Sequence, residues 1–277
     1  MGLKITTLIE NMQDEKKELF YEHGLSLLID NGKKKILFDT GQTGAFLDNA
    51  KEMGFTAETP DLLISSHGHY DHSGGVMRFL KERKSAIDIY VGEGYFNPKY
   101  KILSDGSYKF NGNGFGKEDL EKWNLHEVSE DVTDLGDGIY IFKNFEKYTD
   151  YEKVNPRFYL KAEDGYVRDY FKDEIALGVK TEMGFVVIVG CSHPGIINML
   201  KTIASRMNCK IAAVAGGTHL VEADEKRIDL TIDAMKELGV ECIAVSHCTG
   251  EDGMKRIKEA FPDHFIRNNT GNEFYID

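Results

Sequence analysis

Positive charge is scarce in this chain. Its 277 residues carry 34 Lys and Arg against 46 Asp and Glu, a formal net charge of −12. Contact along a nucleic-acid backbone or an anionic membrane draws on clustered Lys and Arg, so neither partner is expected. A small phosphorylated substrate held by one or two local cations is still allowed. Cysteine is also sparse. Cys191, Cys209, Cys242 and Cys248 show no Cys-x-x-Cys spacing and no disulfide-framework density, which fits reduced thiols and a cytoplasmic location. No apolar run approaches the ~18 residues of a membrane span, and no secretory leader precedes the strand-like Met1-Gly2-Leu3-Lys4-Ile5. No Gly-x-x-x-x-Gly-Lys-Ser/Thr loop occurs, and Gly112-Asn113-Gly114-Phe115-Gly116 lacks the strand-and-helix setting of a nucleotide cradle. The remaining expectation is a small-molecule substrate, with self-association into a homo-oligomer left open.

Apolar patterning predicts strands at Lys4–Ile9, Leu25–Asp30 and Lys35–Asp39, the last two joined by the hairpin signal Asn31-Gly32. Helical spacing over Thr43–Met53 closes at Gly54, the strand Leu62–Ser65 follows, then a helix over Gly75–Lys84 and a strand over Ala86–Val91. The middle, about 93–172, has weak periodicity, with strands expected only at Gly138–Lys143 and near Phe158–Lys161. It reads as an insertion over the functional site within a single domain spanning 1–277. Its cluster Tyr95, Phe96, Lys99, Tyr100 and Lys101 either walls a flat substrate or packs the insertion down. Regular structure returns with strands at Glu174–Thr181, Gly184–Gly190, Lys210–Ala215, Glu241–Ser246 and Glu273–Ile276. Helices are expected over Gly195–Met207, Glu222–Leu238 and Glu251–Phe261. This alternation predicts an α/β (α+β) fold, a four-layer αββα sandwich of two mixed β-sheets flanked by helices.

The segment Ser66-His67-Gly68-His69-Tyr70-Asp71-His72 packs three of the chain's nine histidines and a carboxylate directly after an apolar strand. Imidazole and carboxylate together suit borderline divalent metals, and His67 and His69, alternating on the loop, can converge on one ion. Asp71 and His72 point differently and can serve a second. His193, His219 and His247 also follow buried-strand candidates, so strand-end loops can bring them to the same edge. Asp39 is placed to orient an imidazole or simply to cap a turn. Glu22 and His23 are candidates for lining a pocket. His219, after Gly216-Gly217, can be a ligand, a substrate contact or a proton shuttle. His126 and His264 read as surface residues.

His-x-His-x-Asp-His resembles the signature of the metallo-β-lactamase superfamily. Phe38-Asp39-Thr40-Gly41, Val189-Gly190-Cys191-Ser192-His193, Gly216-Gly217-Thr218-His219 and Ser246-His247-Cys248-Thr249-Gly250 extend the resemblance over most of the chain. With Glu22-His23-Gly24-Leu25-Ser26 they are similar to the branch holding archaeal 7,8-dihydropterin-6-methyl-4-(β-D-ribofuranosyl)aminobenzene-5′-phosphate synthases. The resemblance implies the αββα sandwich and two divalent ions, zinc by default, with manganese or iron bound by the same residue types. His67, His69 and His193 would hold one ion, and Asp71, His72 and His247 the other. Asp71 and His219 would take catalytic roles, and Glu22 and His23 would meet substrate. Many relatives carry a bridging Asp where this chain has Cys191. The thiol then ligates metal, or stands beside a water-only bridge, or His193 takes another role. Two activities follow from the resemblance: hydrolysis of a small ester or phosphoester by activated water, and transfer that joins a pterin methyl diphosphate to a ribofuranosylaminobenzene phosphate. Flavo-diiron redox chemistry fits poorly because that branch replaces the second signature histidine by Glu. A noncatalytic metal or ligand sensor is the remaining reading.

Overall fold

The computed structural model describes residues 2–276. Seven strands form the first sheet, in the spatial order Glu273–Ile276, Leu3–Ile9, Ser26–Asp30, Lys35–Phe38, Leu62–Ser65, Asp88–Gly92 and Asn124–Val128. Six form the second, in the order Cys242–Ser246, Ile211–Gly217, Gly184–Val189, Ala176–Thr181, Ile139–Phe142 and Val132–Asp134. Both sheets are mixed, with parallel pairing at Lys35–Phe38, Leu62–Ser65 and Asp88–Gly92 in one and at Gly184–Val189, Ile211–Gly217 and Cys242–Ser246 in the other.

Period-two alternation builds the layers. Ile36, Phe38, Leu62 and Ile64 face Leu177, Val186, Ile188, Ala213 and Ala215 between the sheets. Their neighbours Leu37 and Leu63 turn outward onto Phe46, Leu47, Phe79 and Leu80 of the helices Phe46–Glu52 and Val76–Glu82. Phe185, Val187 and Val189 likewise turn onto the helices Ile196–Met207, Glu225–Glu237 and Gly250–Ala260. Each such side chain buried is worth roughly 1.5–3 kcal/mol, so a one-residue slip of any central strand is heavily disfavoured. The Asn31-Gly32 turn forms as expected: Asn31 Oδ1 accepts the Lys33 and Lys34 amides at 3.1 and 2.9 Å, and Gly32 takes a φ of 80°.

The segment 93–172 is more regular than its composition suggested. Asn124–Val128 joins the first sheet, and Val132–Asp134 and Ile139–Phe142 join the second. A third sheet, in the order Gly165–Arg168, Phe158–Ala162, Lys99–Ile102 and Tyr108–Phe110, forms a cap beside the histidine cluster. Its faces are fastened by aromatic pairs, with Tyr108 stacked on Tyr166 at 3.7 Å and Tyr100 edge-on to Phe110 at 5.4 Å. The same segment also caps a helix. Ile196–Met207 has no local side-chain cap; buried Glu152 accepts the Ile197 amide at 2.9 Å and the Asn198 amide at 2.8 Å. Glu152→Ala should therefore cost about 1–2 kcal/mol, read as a lower midpoint in thermal unfolding. An unchanged midpoint would show that these two bonds carry no stability.

Candidate metal centre

The carboxyl ends of the parallel strands meet at one edge, and each delivers a polar residue there. Lys35–Phe38 ends at Asp39, Leu62–Ser65 at Ser66 and His67, Gly184–Val189 at Cys191 and His193, Ile211–Gly217 at His219, and Cys242–Ser246 at His247. Asp39, Ser192, His219 and His247 all take left-handed φ values, 58°, 60°, 50° and 55°. Such conformations are costly for residues with a Cβ and persist only where surrounding contacts enforce them.

Six of the predicted residues converge here. His67 Nε2 and His69 Nδ1 are 3.1 Å apart, and the His193 ring lies 5.0 Å from each of theirs. Beside them, His72 Nε2 stands 3.1 Å from His247 Nε2 and 3.8 Å from Asp71 Oδ2, and His247 Nε2 is 3.5 Å from the same oxygen. Donors around one tetrahedral ion with bonds near 2.1 Å sit about 3.4 Å apart, so the His67–His69 pair and the set of Asp71, His72 and His247 have spacings that suit a shared cation, while His193 offers a donor within 4.8 Å of donors on His67 and Cys191.

The opposite nitrogens fix the tautomers. His72 Nδ1–H donates to Asp39 Oδ2 at 2.7 Å. Ser66 Oγ also donates to Asp39 Oδ2 at 2.7 Å and lies 2.9 Å from His67 Nδ1, so one carboxylate orients both rings and turns each Nε2 toward the centre. His247 Nδ1–H donates to Asn11 Oδ1 at 2.8 Å. Asn111 Nδ2 is 3.1 Å from His69 Nε2 while its Oδ1 has no partner. Turning that amide over pairs Oδ1 with Nε2–H and frees Nδ1, the nitrogen that faces His67.

Electrostatics call for a cation. Burial holds His67, His69 and His193 well below the usual histidine value, so all three are neutral. Burial also opposes charge on His72, yet Asp39 and Asp71 outweigh it and push His72 up to about 9. Against its own burial, Asp71 is held well below the carboxylate range by His72 and by hydrogen bonds from His23 and His247. Among the described residues, both ring nitrogens of His193, and both of His219, are buried without a partner. Orphaned imidazoles cost roughly 1–3 kcal/mol each, a penalty that an ion or a bound ligand removes. The residues present therefore fit a divalent metal.

The other expected residues have distinct fates. His23 Nε2 lies 3.2 Å from Asp71 Oδ2, and that hydrogen bond raises its pKa against partial burial. Glu22 faces the neighbouring loop, accepting the Gln42 and Thr43 amides at 2.8 and 3.0 Å and the Thr43 hydroxyl at 2.7 Å. His219 stands 4.4 Å, ring to ring, from His193, and its amide donates to Cys248 Sγ at 3.3 Å. His126 stacks on Tyr90 and His264 bonds the Glu241 carbonyl, both away from the centre. Of the aromatic-cationic cluster, Tyr95 is buried against Ser65, and Phe96 packs on Tyr95 and Phe115. Lys99 is buried between Asp169 and Asp173, 2.8 Å from each, and Asp173 in turn accepts the Gly68 amide at 2.9 Å. A Cβ at Gly68 would lie 2.3 Å from the Tyr95 carbonyl oxygen, which is why the loop between the two histidines needs glycine.

Several supporting residues carry no sequence signal. Asn11, Asn111 and Glu174 are ordinary polar positions until the fold assembles. Glu174, whose carboxyl burial pushes well above its usual range, accepts the Ser192 and His193 amides at 2.6 and 3.0 Å. Only Ser66, adjacent to the signature, could have been suspected.

An αββα sandwich with a His/Asp/Cys cluster at its strand ends defines a metal-binding fold of one type, and this chain belongs to the metallo-beta-lactamase superfamily, whose family model matches residues 21–193. Among its relatives is the 7,8-dihydropterin-6-methyl-4-(beta-D-ribofuranosyl)-aminobenzene-5′-phosphate synthase of Methanocaldococcus jannaschii, 38% identical over 98% of this chain and 95% of that protein. An uncharacterized protein of the same organism is 26% identical over 92% of this chain and 94% of its own length. The structure is similar to that of Tm1679, described as a metal-dependent hydrolase of the beta-lactamase superfamily, with a TM-score of 0.86, 30% identity and 99% coverage of both chains. Among the described residues, no helix is long and apolar enough to cross a membrane.

Proposed function

We propose that this protein is a metal-dependent hydrolase of small esters or phosphoesters, acting on a small molecule rather than on nucleic acid or membrane. The convergence of His67, His69, His193 and of Asp71, His72, His247 on two adjacent positions carries this reading. Each triad would hold one divalent ion, zinc by ligand type. When bound, the ions would supply Lewis acidity, drawing charge from a scissile carbonyl or phosphoryl oxygen and easing deprotonation of water. Asp71 Oδ2, within that second triad, orients the attacking water, whose proton leaves to solvent. His23, half-exposed and donating to that same oxygen, fixes its direction. His219, whose ring nitrogens have no partner among the described residues, stands 4.4 Å, ring to ring, from His193 and would donate to the leaving group. The rings of Phe158 and Phe171 pack on His69 and His193 and keep bulk water from this side.

The cap supplies a cation for an anionic substituent. Lys101 pairs across the cap sheet with Phe158 and with Lys109, which puts all three on one face, and its Nζ stands 5.8 Å from the Phe158 ring. Among the described residues neither lysine has a carboxylate within ion-pair distance. Burial and repulsion by Arg157 lower the pKa of Lys101. An anion placed between Lys101 and the centre relieves that repulsion. Lys101→Ala should raise KM for phosphorylated substrates about 10- to 100-fold, the worth of one charged hydrogen bond, and leave neutral esters unaffected. Equal KM values for phosphorylated substrates in both proteins would remove Lys101 from the substrate site.

A second reading is transfer: joining a dihydropterin methyl diphosphate to a ribofuranosylaminobenzene phosphate. The 38% identity to the synthase along nearly the whole chain supports it. One experiment separates the two: metal-loaded protein is offered an ester and phosphoester panel and, separately, both transfer substrates. Hydrolysis that disappears in His67→Ala supports the first reading. Coupled product without hydrolysis of the panel replaces it with the second.

A further inference from the structure

Cys191 belongs to neither triad alone. Its Sγ lies 3.2 Å from His72 Nε2 and 3.4 Å from His247 Nε2. The same sulfur is within 4.8 Å of one donor nitrogen on His67 and one on His193, and within that distance of a donor on Asp71. Among the described residues, no other side chain is shared between the group of His67, Cys191 and His193 and the group of Asp71, His72, Cys191 and His247. A sulfur and an imidazole nitrogen on one tetrahedral ion, with bonds near 2.3 and 2.1 Å, sit about 3.6 Å apart, within a few tenths of an ångström of both separations.

The backbone holds the thiol there. Cys191 follows Gly190, where a Cβ would lie 2.1 Å from Ser66 Oγ, so the strand end runs against the signature loop with no space between. The next two amides are fixed by Glu174. The residue is 3% exposed, so water does not compete for the sulfur. Three of its polar neighbours are the imidazoles of His72, His67 and His247, whose opposite nitrogens are already committed to Asp39, Ser66 and Asn11.

We propose that Cys191 is a bridging thiolate, a ligand common to both metal positions, which makes this a sulfur-containing dinuclear centre. This rests on the metal-centre reading above. On binding, the S–H bond breaks, the sulfur lone pair passes to the ions and one proton leaves to solvent, with no change in oxidation state. The soft donor favours zinc, cobalt or cadmium over magnesium or calcium. Cys248 is the alternative sulfur. Its Sγ lies within 4.8 Å of Cys191 Sγ and of a His219 nitrogen, but no donor of His67, His72 or His247 joins it in such a group.

The test is anaerobic cobalt(II) titration of metal-free protein, following the near-ultraviolet thiolate-to-cobalt charge-transfer band and bound cobalt together. Wild type should gain absorbance with both the first and second equivalents. Cys191→Asp should still bind two ions and lose the band completely, while Cys248→Ser keeps it. A band that survives in Cys191→Asp, or one that saturates at the first equivalent, overturns the bridge. Wild type that binds two cobalt ions without the band also overturns it, and leaves the metal centre standing. Failure to bind cobalt at all brings down the metal-centre reading and the bridge with it.

Discussion

Replacing Asp71 by alanine should lower turnover by about 1,000-fold or more, the equivalent of several kcal/mol of lost charge stabilisation in the transition state. One oxygen of Asp71 faces three imidazoles: His23 at 3.2 Å, His247 at 3.5 Å and His72 at 3.8 Å. Without it the second triad loses its only carboxylate, and elemental analysis should find metal reduced towards one ion per chain. The fold should persist, because the Asp71 backbone carbonyl, which accepts the Leu25 amide at 3.2 Å, is unchanged. Full activity in a properly folded Asp71→Ala protein would sink the hydrolytic mechanism.

Asp39→Ala should have the second largest effect, although Asp39 faces none of the free lone pairs. The carboxylate is fully buried and receives the Ser66 amide, the Ser66 hydroxyl and His72 Nδ1–H, each at 2.7 Å. Its loss leaves His72 without its direct partner and His67 without the end of its relay. Metal affinity should fall about 10- to 100-fold, measured by competition with a chromophoric chelator. Stability of the metal-free protein should fall as well, by about 3–5 kcal/mol, as for other broken buried pairs. Asn at this position retains one acceptor and should lie between. Unchanged affinity in Asp39→Ala would mean that ring orientation is set elsewhere.

The elements that alternate aliphatic residues with polar ones were readable from sequence to within a few residues. Leu62–Ser65 and Glu273–Ile276 match their expected limits, and the helix predicted over Glu222–Leu238 begins three residues later, at Glu225. Of the cap, only Phe158–Ala162 was expected, near Phe158–Lys161; the other three strands were not readable. Its strands Lys-Tyr-Lys-Ile, Tyr-Lys-Phe and Gly-Tyr-Val-Arg are short, and aromatic pairing across the sheet replaces an aliphatic face. One of the pairings, that of Lys99–Ile102 with Phe158–Ala162, also joins segments far apart in the chain, as Lys101 and Phe158 show. Asn124–Val128 went unseen for a related reason: an edge strand with mostly exposed side chains carries little hydrophobic signal. At the site, the histidines announced themselves by spacing and residue type. Asn11, Asn111 and Glu174 did not, since an amide or carboxylate acquires its role only from the group folded against it. Glu22 shows the converse: it lies beside His23 in sequence, yet its carboxylate closes a turn.

The buried ion triad sets how this protein meets its ligand. Lys99 on the cap is 1% exposed and pairs with Asp169 and Asp173, and Asp173 also grips the amide between His67 and His69. Lifting the cap would strand these charges in an apolar setting, at a cost of about 3–5 kcal/mol. The cap therefore works as a fixed lintel over the doorway instead of a swinging flap. Turnover should therefore proceed without a slow closing step.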